Sequence, residues 1–333
     1  MTDALHSVPY DRITHLLERM GEVRVAIVGD LMLDRYLLGD VDRISPEAPV
    51  PVLTVEEERD SPGGAANVAA NAASLGATVE LVGVVGDDDA GATLRELLRG
   101  YETGTTGVIE VGGRPTTTKT RIIARGQQVV RIDREVDNPL ADRTRDAVME
   151  AAQRAIAECD VLLLEDYDKG VFDLPMLAGL IEAARARGVP IIADPKERHF
   201  FGFAGATVFK PNRREIERAF GSRLPTDAAM LIEARRRLDV ENLLLTLGAD
   251  GFLLVVDGDV VRQSPSIARE VYDVSGAGDT VTAWTGVALA AGATVEEAAW
   301  LANLAAGVQV GKQGTATVSH DELLDAWDAI AGE

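Results

Sequence analysis

The sequence predicts an α/β protein: a mostly parallel central sheet, helices on both of its faces, and a small β-flap beside it. Two observations carry this. Continuous β-branched apolar runs, too apolar to have a solvated face, alternate with Ala-rich stretches bearing Arg and Glu at helical period. Two segments, about 35–60 and 115–135, break the alternation with short strand patterns rich in Pro and Thr respectively.

Taken in order, residues 11–20 read as a short amphipathic helix, and Val23–Val28 as a buried strand ending at Gly29-Asp30. Segment 35–60 carries Pro46, Pro49 and Pro51 and should lie outside the main sheet. A helical stretch, 68–77, leads to the next strand at Val79–Val85. Segment 115–135 is Thr-rich and turns near Arg125-Gly126. Together the two segments would form a lid over a site; two ordinary surface hairpins are the alternative. Strands at Val161–Leu164, Pro190–Ala193, Thr207–Phe209 and Leu243–Thr246 then alternate with helices at 143–157, 174–187, 213–220 and 227–238. No repeat or linker divides the chain, so residues 1–333 read as one domain with the lid inserted in it. In such folds ligands bind beyond the carboxyl ends of the strands.

Composition narrows the function. Lys and Arg number 33 against 54 Asp and Glu, a net charge of −21. That excess argues against nucleic acid or an anionic membrane as partner, although a local basic pocket remains open to an anionic small molecule. One cysteine, Cys159, excludes an internal disulfide and any multi-Cys zinc site. The N-terminus lacks the order of a signal peptide and no apolar run reaches membrane-spanning length. A cytoplasmic protein is expected.

Four motifs hold chemistry. In Tyr272–Thr280 (YDVSGAGDT), Gly276, Ala277 and Gly278 put small residues at a helix start, where unpaired N–H groups and the helix dipole favour an anion. Asp279 follows directly. A carboxylate beside an anion site makes sense as a base for an attacking hydroxyl, with a plain N-cap as the alternative. Gly63 and Gly64 permit close backbone approach, and Asn67 can pair with hydroxyls; a helix-capping turn is the other reading. Asn212 and Glu215, three apart, suit a hydrated Mg²⁺ if a helix starts there, but Asn-x-x-Glu alone is weak. Asp30 and Asp34 lie just past the first strand, where turn and cap roles compete with ligand binding.

In this order the motifs resemble the ribokinase-like (PfkB) family of sugar kinases, over almost the whole chain. Gly-Gly-x-x-Asn, Asn-x-x-Glu and Gly-Ala-Gly-Asp are its hallmarks. Within it, RISPEAPVPVL (43–53), PGGAANVAANAASLGA (62–77), DYDKG (166–170) and DPK (194–196) look like the D-glycero-β-D-manno-heptose 7-phosphate kinase subgroup. Fused members carry a nucleotidyltransferase domain with a His-x-x-His-type motif, which is absent here, so a stand-alone kinase is expected. The usual Thr before Gly-Ala-Gly-Asp is Ser275, and Asn-Pro-x-Glu is replaced by Pro-Asn-Arg-Arg-Glu.

The resemblance implies a ribokinase-like three-layer sandwich and an ATP- and Mg²⁺-dependent phosphorylation of the anomeric hydroxyl, giving the heptose 1,7-bisphosphate for a nucleotide sugar. By that resemblance Asp279 is the base, and Gly276, Ala277 and Gly278 stabilise the transferring phosphoryl. Asn212 and Glu215 hold Mg²⁺ through water. Thr246, Gly248, Asn303 and Lys210 serve ATP. Asp34, Gly63, Gly64, Asn67 and Asp166 face the sugar. Its phosphate needs cations: Lys119, Arg121 and Arg125 on the flap, with Lys169 and Lys196 from the main domain. Asp273 would bind a monovalent cation such as K⁺, or act as a structural cap. Exposed strand edges in the flap would pair a second copy into a homodimer. The alternatives are a kinase for another sugar, or a non-catalytic sugar- or nucleotide-binding regulator.

Overall fold

The computed structural model describes residues 2–4, 8–223, 227–256, 258, 260–268 and 271–331. The first third contains β1 (Thr2–Ala4), α1 (Tyr10–Met20), β2 (Arg24–Gly29), β3 (Leu31–Ile44), β4 (Pro51–Gly64), α2 (Ala65–Ser74), β5 (Thr78–Gly86), α3 (Asp89–Gly100) and β6 (Gly104–Val111). Next come β7 (Thr117–Ala124), β8 (Gln127–Arg134), α4 (Asp142–Glu158), β9 (Val161–Glu165), α5 (Leu174–Ala186), β10 (Ile191–Asp194) and β11 (Val208–Phe209). The remainder holds α6 (Arg213–Phe220), α7 (Ala228–Leu238), β12 (Asn242–Thr246), β13 (Phe252–Val256), β14 (Val260–Ser264), α8 (Ala277–Ala290), α9 (Val295–Gln309) and α10 (His320–Ala331).

Alternating side chains give the central strands two buried faces. In β2, Val25 and Ile27 enter one hydrophobic cluster while Ala26 and Val28 enter the other. In β9, Val161 and Leu163 divide from Leu162 and Leu164 in the same way. Helices α1, α2, α8 and α9 cover the first face, and α4, α5 and α7 cover the second. The packing is close enough to dictate composition: a Cβ on Gly286 of α8 would sit 2.4 Å from Leu163 Cδ2, so a larger residue there would push the helix off the sheet.

The main sheet has the order β1-β14-β13-β12-β11-β10-β9-β2-β5-β6. From β6 to β12 it is parallel, as expected; β13 and β14 add a hairpin whose antiparallel direction the pattern of apolar runs does not announce. The two segments that break the alternation do come together, in a separate sheet of order β4-β3-β7-β8. Both of its longest strands exceed the expected lengths, since β3 begins at Leu31 and β4 runs to Gly64. Asp34 and the Gly63-Gly64 pair therefore belong to this second sheet. The hairpin turn falls at Arg125 and Gly126, both with positive φ (51° and 77°). Among the described residues, no helix is long and apolar enough to cross a membrane.

Candidate active site

Four parallel strands end at one place. Glu165 closes β9, Asp194 closes β10, Lys210 follows β11, and Thr246 closes β12. Against these ends stands the start of α8. Its N-cap, Gly276, has φ +83°, and a Cβ there would lie 2.8 Å from Asn67 Nδ2. Only glycine combines that left-handed backbone with that clearance. Thr280 N–H closes the first turn on Gly276 O at 2.9 Å, and Ala277 N–H reaches back only weakly to Val274 O at 3.4 Å, so the amides before Thr280 are the donors this helix start presents.

Asp279, in this first turn, is 4% exposed. Asn67 Nδ2 donates to its Oδ2 at 2.7 Å, and Tyr167 Oη donates to its Oδ1 at 2.6 Å. Asn67 is itself fixed: Asn71 Nδ2 donates to its Oδ1 at 3.2 Å, and Thr280 Oγ1 donates to Asn71 Oδ1 at 3.1 Å, tying α2 to α8. Burial raises the Asp279 carboxyl, and the donors Tyr167 and Asn67 pull the other way without cancelling it. The result is a carboxylate more basic than an ordinary aspartate and held in one orientation, the state that suits a base for a hydroxyl proton.

Glu165, Asp194 and Asp279 lie with carboxylate oxygens within 4.8 Å of one another, all buried. Three charges cannot share such a space uncompensated. Lys210 Nζ donates to Asp194 Oδ2 at 2.8 Å; burial opposes ionisation of Asp194, but Lys210 and Lys196 outweigh it and lower its carboxyl. Glu165 takes the opposite course: burial, then Asp194 and Asp279, push its carboxyl well above the ordinary range. Burial opposes the charge on half-buried Lys196, but Asp194 and Glu215 outweigh it and raise its pKa; its Nζ donates to Glu215 Oε1 at 2.6 Å.

Asn212 and Glu215 form a capping box at the start of α6. Glu215 N–H donates to Asn212 Oδ1 at 3.0 Å, and Asn212 N–H donates to Glu215 Oε2 at 2.8 Å. The pair expected to orient Mg²⁺ thus has a structural duty as well. An ionised carboxylate has about four acceptor sites, so Glu215 keeps some for metal-bound water.

A cavity of about 420 Å³ opens here, lined by Lys210, Asn212, Glu215, Thr246, Gly248, Asn303 and the whole stretch from Gly276 to Asp279. Residues scattered over a hundred positions of sequence meet on one wall. Asn303 donates to Ser264 Oγ at 3.1 Å and to Pro265 O at 2.8 Å, bracing the far side. Asp273 has both oxygens on backbone amides, Ser275 N–H at 2.9 Å and Gly314 N–H at 3.1 Å. That is a cap geometry.

The flap supplies the other wall. Arg121 Nη1 donates to Asp34 Oδ1 at 2.5 Å and its guanidinium sits 5.2 Å from the Tyr36 ring centre. Gly63 packs against this pair, where a Cβ would lie 2.5 Å from Asp34 Oδ2. Most of the cations expected to meet a phosphate have carboxylate partners: Arg125 has Asp40, Lys169 has Glu135 at 3.0 Å, and Lys196 has Glu215. Lys119 has none among the described residues; its ammonium lies 5.1 Å from the Tyr167 ring centre, and burial lowers its pKa. Asp166 does not line the cavity. Tyr167, beside it, escaped the sequence reading, although a Tyr within a carboxylate-rich strand end was the available signal.

The sequence signature of the pfkB family carbohydrate kinase matches residues 23–322. The chain belongs to this family. Membership makes it a phosphotransferase with a sugar hydroxyl as acceptor. The bifunctional protein HldE of Azorhizobium caulinodans is 46% identical over 312 residues, covering 93% of this chain and 65% of that protein. HldE of Acidiphilium cryptum is 45% identical over 316 residues, covering 94% and 65%. The chain thus spans about two thirds of the length of these relatives. Among solved structures, Arabidopsis thaliana ribokinase complexed with ribose and ATP aligns with a TM-score of 0.72 at 23% identity, covering 91% of this chain and 98% of that one. Escherichia coli phosphofructokinase-2 in complex with substrates and products gives 0.75 at 22%, covering 93% and 100%. These establish the ribokinase-like fold.

Proposed function

We propose that this kinase transfers the γ-phosphoryl of ATP to the anomeric hydroxyl of D-glycero-β-D-manno-heptose 7-phosphate, yielding the 1,7-bisphosphate for nucleotide sugar synthesis. The observation that carries the substrate is the identity of 40–46% to HldE proteins across nearly the whole chain, well above the 15–24% shared with ribokinases and phosphofructokinases.

The residues divide the work. Asn67 and Tyr167 hold Asp279 with both oxygens oriented, and Asp279 takes the proton as the sugar oxygen attacks phosphorus. The first-turn amides from Gly276 to Gly278 receive the charge that develops on the phosphoryl oxygens. Thr246, Gly248 and Asn303 line the part of the cavity assigned to the nucleotide. Asn212 and Glu215 would hold Mg²⁺ through water, and the ion would there neutralise phosphate charge. On the sugar side Asp34, Gly63 and Gly64 meet hydroxyls. Lys119, whose ammonium has no carboxylate partner, is the cation best placed for the 7-phosphate, with Arg121 and Lys169 behind it.

Measuring ADP release with heptose 7-phosphate, unphosphorylated heptose, ribose and fructose 6-phosphate tests the reading. Turnover only with heptose 7-phosphate is expected. Equal turnover with ribose or fructose 6-phosphate overturns the substrate and keeps the kinase. The same proposal includes a cytoplasmic location, where ATP is abundant. It also includes a homodimer through the flaps, whose surface exposes Ile44, Val50, Val129, Val130 and Ile132. Sedimentation as a monomer at micromolar concentration would remove the dimer.

A further inference from the structure

On the far side of the β9 terminus a second cluster has no part in the chemistry above. Asp166 and Asp168 follow β9, and His199 lies in the turn-rich segment after β10. One ligand-capable atom from each comes within 4.8 Å of the others. The Asp166 side chain is 2% exposed and that of His199 12%. Asp166 Oδ2 and His199 Nδ1 stand 3.4 Å apart, a long Asp–His contact that raises the imidazole pKa, and neither atom has a well-formed hydrogen bond to any other group. A buried carboxylate oxygen and a buried ring nitrogen, both unsatisfied and aimed at one point, need an explanation.

Apart from the imidazole of His199 itself, whose pKa Asp166 raises, the surroundings offer these carboxylates no paired cation. Asp166 Oδ1 accepts from Asp168 N–H at 2.8 Å, and the Asp168 oxygens accept only weakly from Arg198 N–H, at 3.3 Å. The Arg198 guanidinium is committed to Asp137, at 2.8 Å to its carbonyl and 2.9 Å to its carboxylate. No Lys or Arg side chain among the described residues forms a salt bridge with Asp166 or Asp168. Asp30 adds a further carboxyl nearby, raised to about 6 by burial and by Asp166.

The spacing fits a metal. With metal–ligand bonds of about 2.1 Å, adjacent ligand atoms of a tetrahedron lie about 3.4 Å apart, the separation found between Asp166 Oδ2 and His199 Nδ1. Two carboxylates and one imidazole make a mixed O/N set that suits a borderline divalent ion better than Mg²⁺, which prefers oxygen throughout. We propose that Asp166, Asp168 and His199 form a Zn²⁺ site, separate from the catalytic cavity, with water completing the coordination. The ion would neutralise two carboxylates and pin the 166–168 turn, whose middle residue is Tyr167.

Zn²⁺ binding to the full chain is measured by equilibrium dialysis and calorimetry in excess Mg²⁺, with Co²⁺ as a visible-absorbance probe. The wild type should take up one equivalent of Zn²⁺, and the Co²⁺ form should show tetrahedral d–d bands. His199→Ala should weaken Zn²⁺ binding by at least about 10- to 100-fold and abolish those bands. His199→Gln, which keeps a polar side chain, guards against a folding artefact and should behave alike. His15→Ala, at an exposed histidine outside the cluster, should change nothing. Absence of stoichiometric uptake by the wild type overturns the proposal and leaves a simple His–Asp ion pair. Undiminished uptake by both His199 variants overturns it equally.

Discussion

The two walls of the active site are made differently. At the phosphoryl wall, the charged groups sit on strand ends and helix starts of the main sheet, and most are paired: Lys210 with Asp194, Lys196 with Glu215, two donors on Asp279. At the sugar wall, the residues ride on a four-stranded sheet whose last strand, β8, is exposed along its whole length. Its cations pair mostly with its own carboxylates, and Lys119 is left over. The difference teaches where each property is stored. Rate belongs to the wall whose geometry cannot change; substrate choice belongs to the one that can be altered without unfolding the core.

That division can be broken by kinetics. Asp279→Asn keeps the shape and the Asn67 contact region but cannot accept a proton, so kcat should fall about 10²- to 10⁴-fold with KM for both substrates nearly unchanged. A change confined to KM would dissolve the division at its strongest point. Lys119→Ala tests the opposite wall. KM for the phosphorylated sugar should rise about tenfold or more, while KM for ATP stays put and kcat drops little. An equal rise in both would move Lys119 to the nucleotide side.

Tyr167→Phe sharpens the boundary, because this residue touches both walls: its hydroxyl donates to Asp279 and its ring meets Lys119 and Lys196. The ring contacts survive in Phe, so only the hydrogen bond is lost. That bond lowers the Asp279 pKa, so its removal raises it. A base must be ionised to work, and the acidic limb of the pH–kcat profile should therefore shift to higher pH, with kcat at neutral pH reduced about tenfold or less. An unmoved limb would separate Tyr167 from the base.

Much of this was legible beforehand. The parallel strands announced themselves because both faces are buried, so Val161–Leu164 needs no polar partner. The Gly-Ala-Gly-Asp start of α8 was readable because only small residues fit where a Cβ would meet Asn67. Strand β6 was not, since an edge strand that mixes polar and apolar residues reads as a loop does; β13 is a plain apolar run, but its antiparallel direction leaves no mark in its composition. The pairings within the site were hidden too. Asn212 and Glu215 read as metal ligands, and although a helix at 213–220 is expected and observed, the capping box that closes its start went unread. The Arg121–Asp34 pair joins strands 87 residues apart, and no local pattern encodes it.

One residue makes the shortest connection between the two sheets. Asp30 alone lies between β2, in the main sheet, and β3, in the flap. Its N–H donates to Glu165 O at 3.1 Å and its carbonyl accepts from Ala65 N–H at 3.1 Å. Its carboxyl accepts from the amides of Tyr167, Lys169 and Val171. A door needs slack at its hinge, and this joint has none. Any admission of substrate must come from bending in the outer blades of the flap, far from the root, as a leaf flexes while its stalk stays fixed.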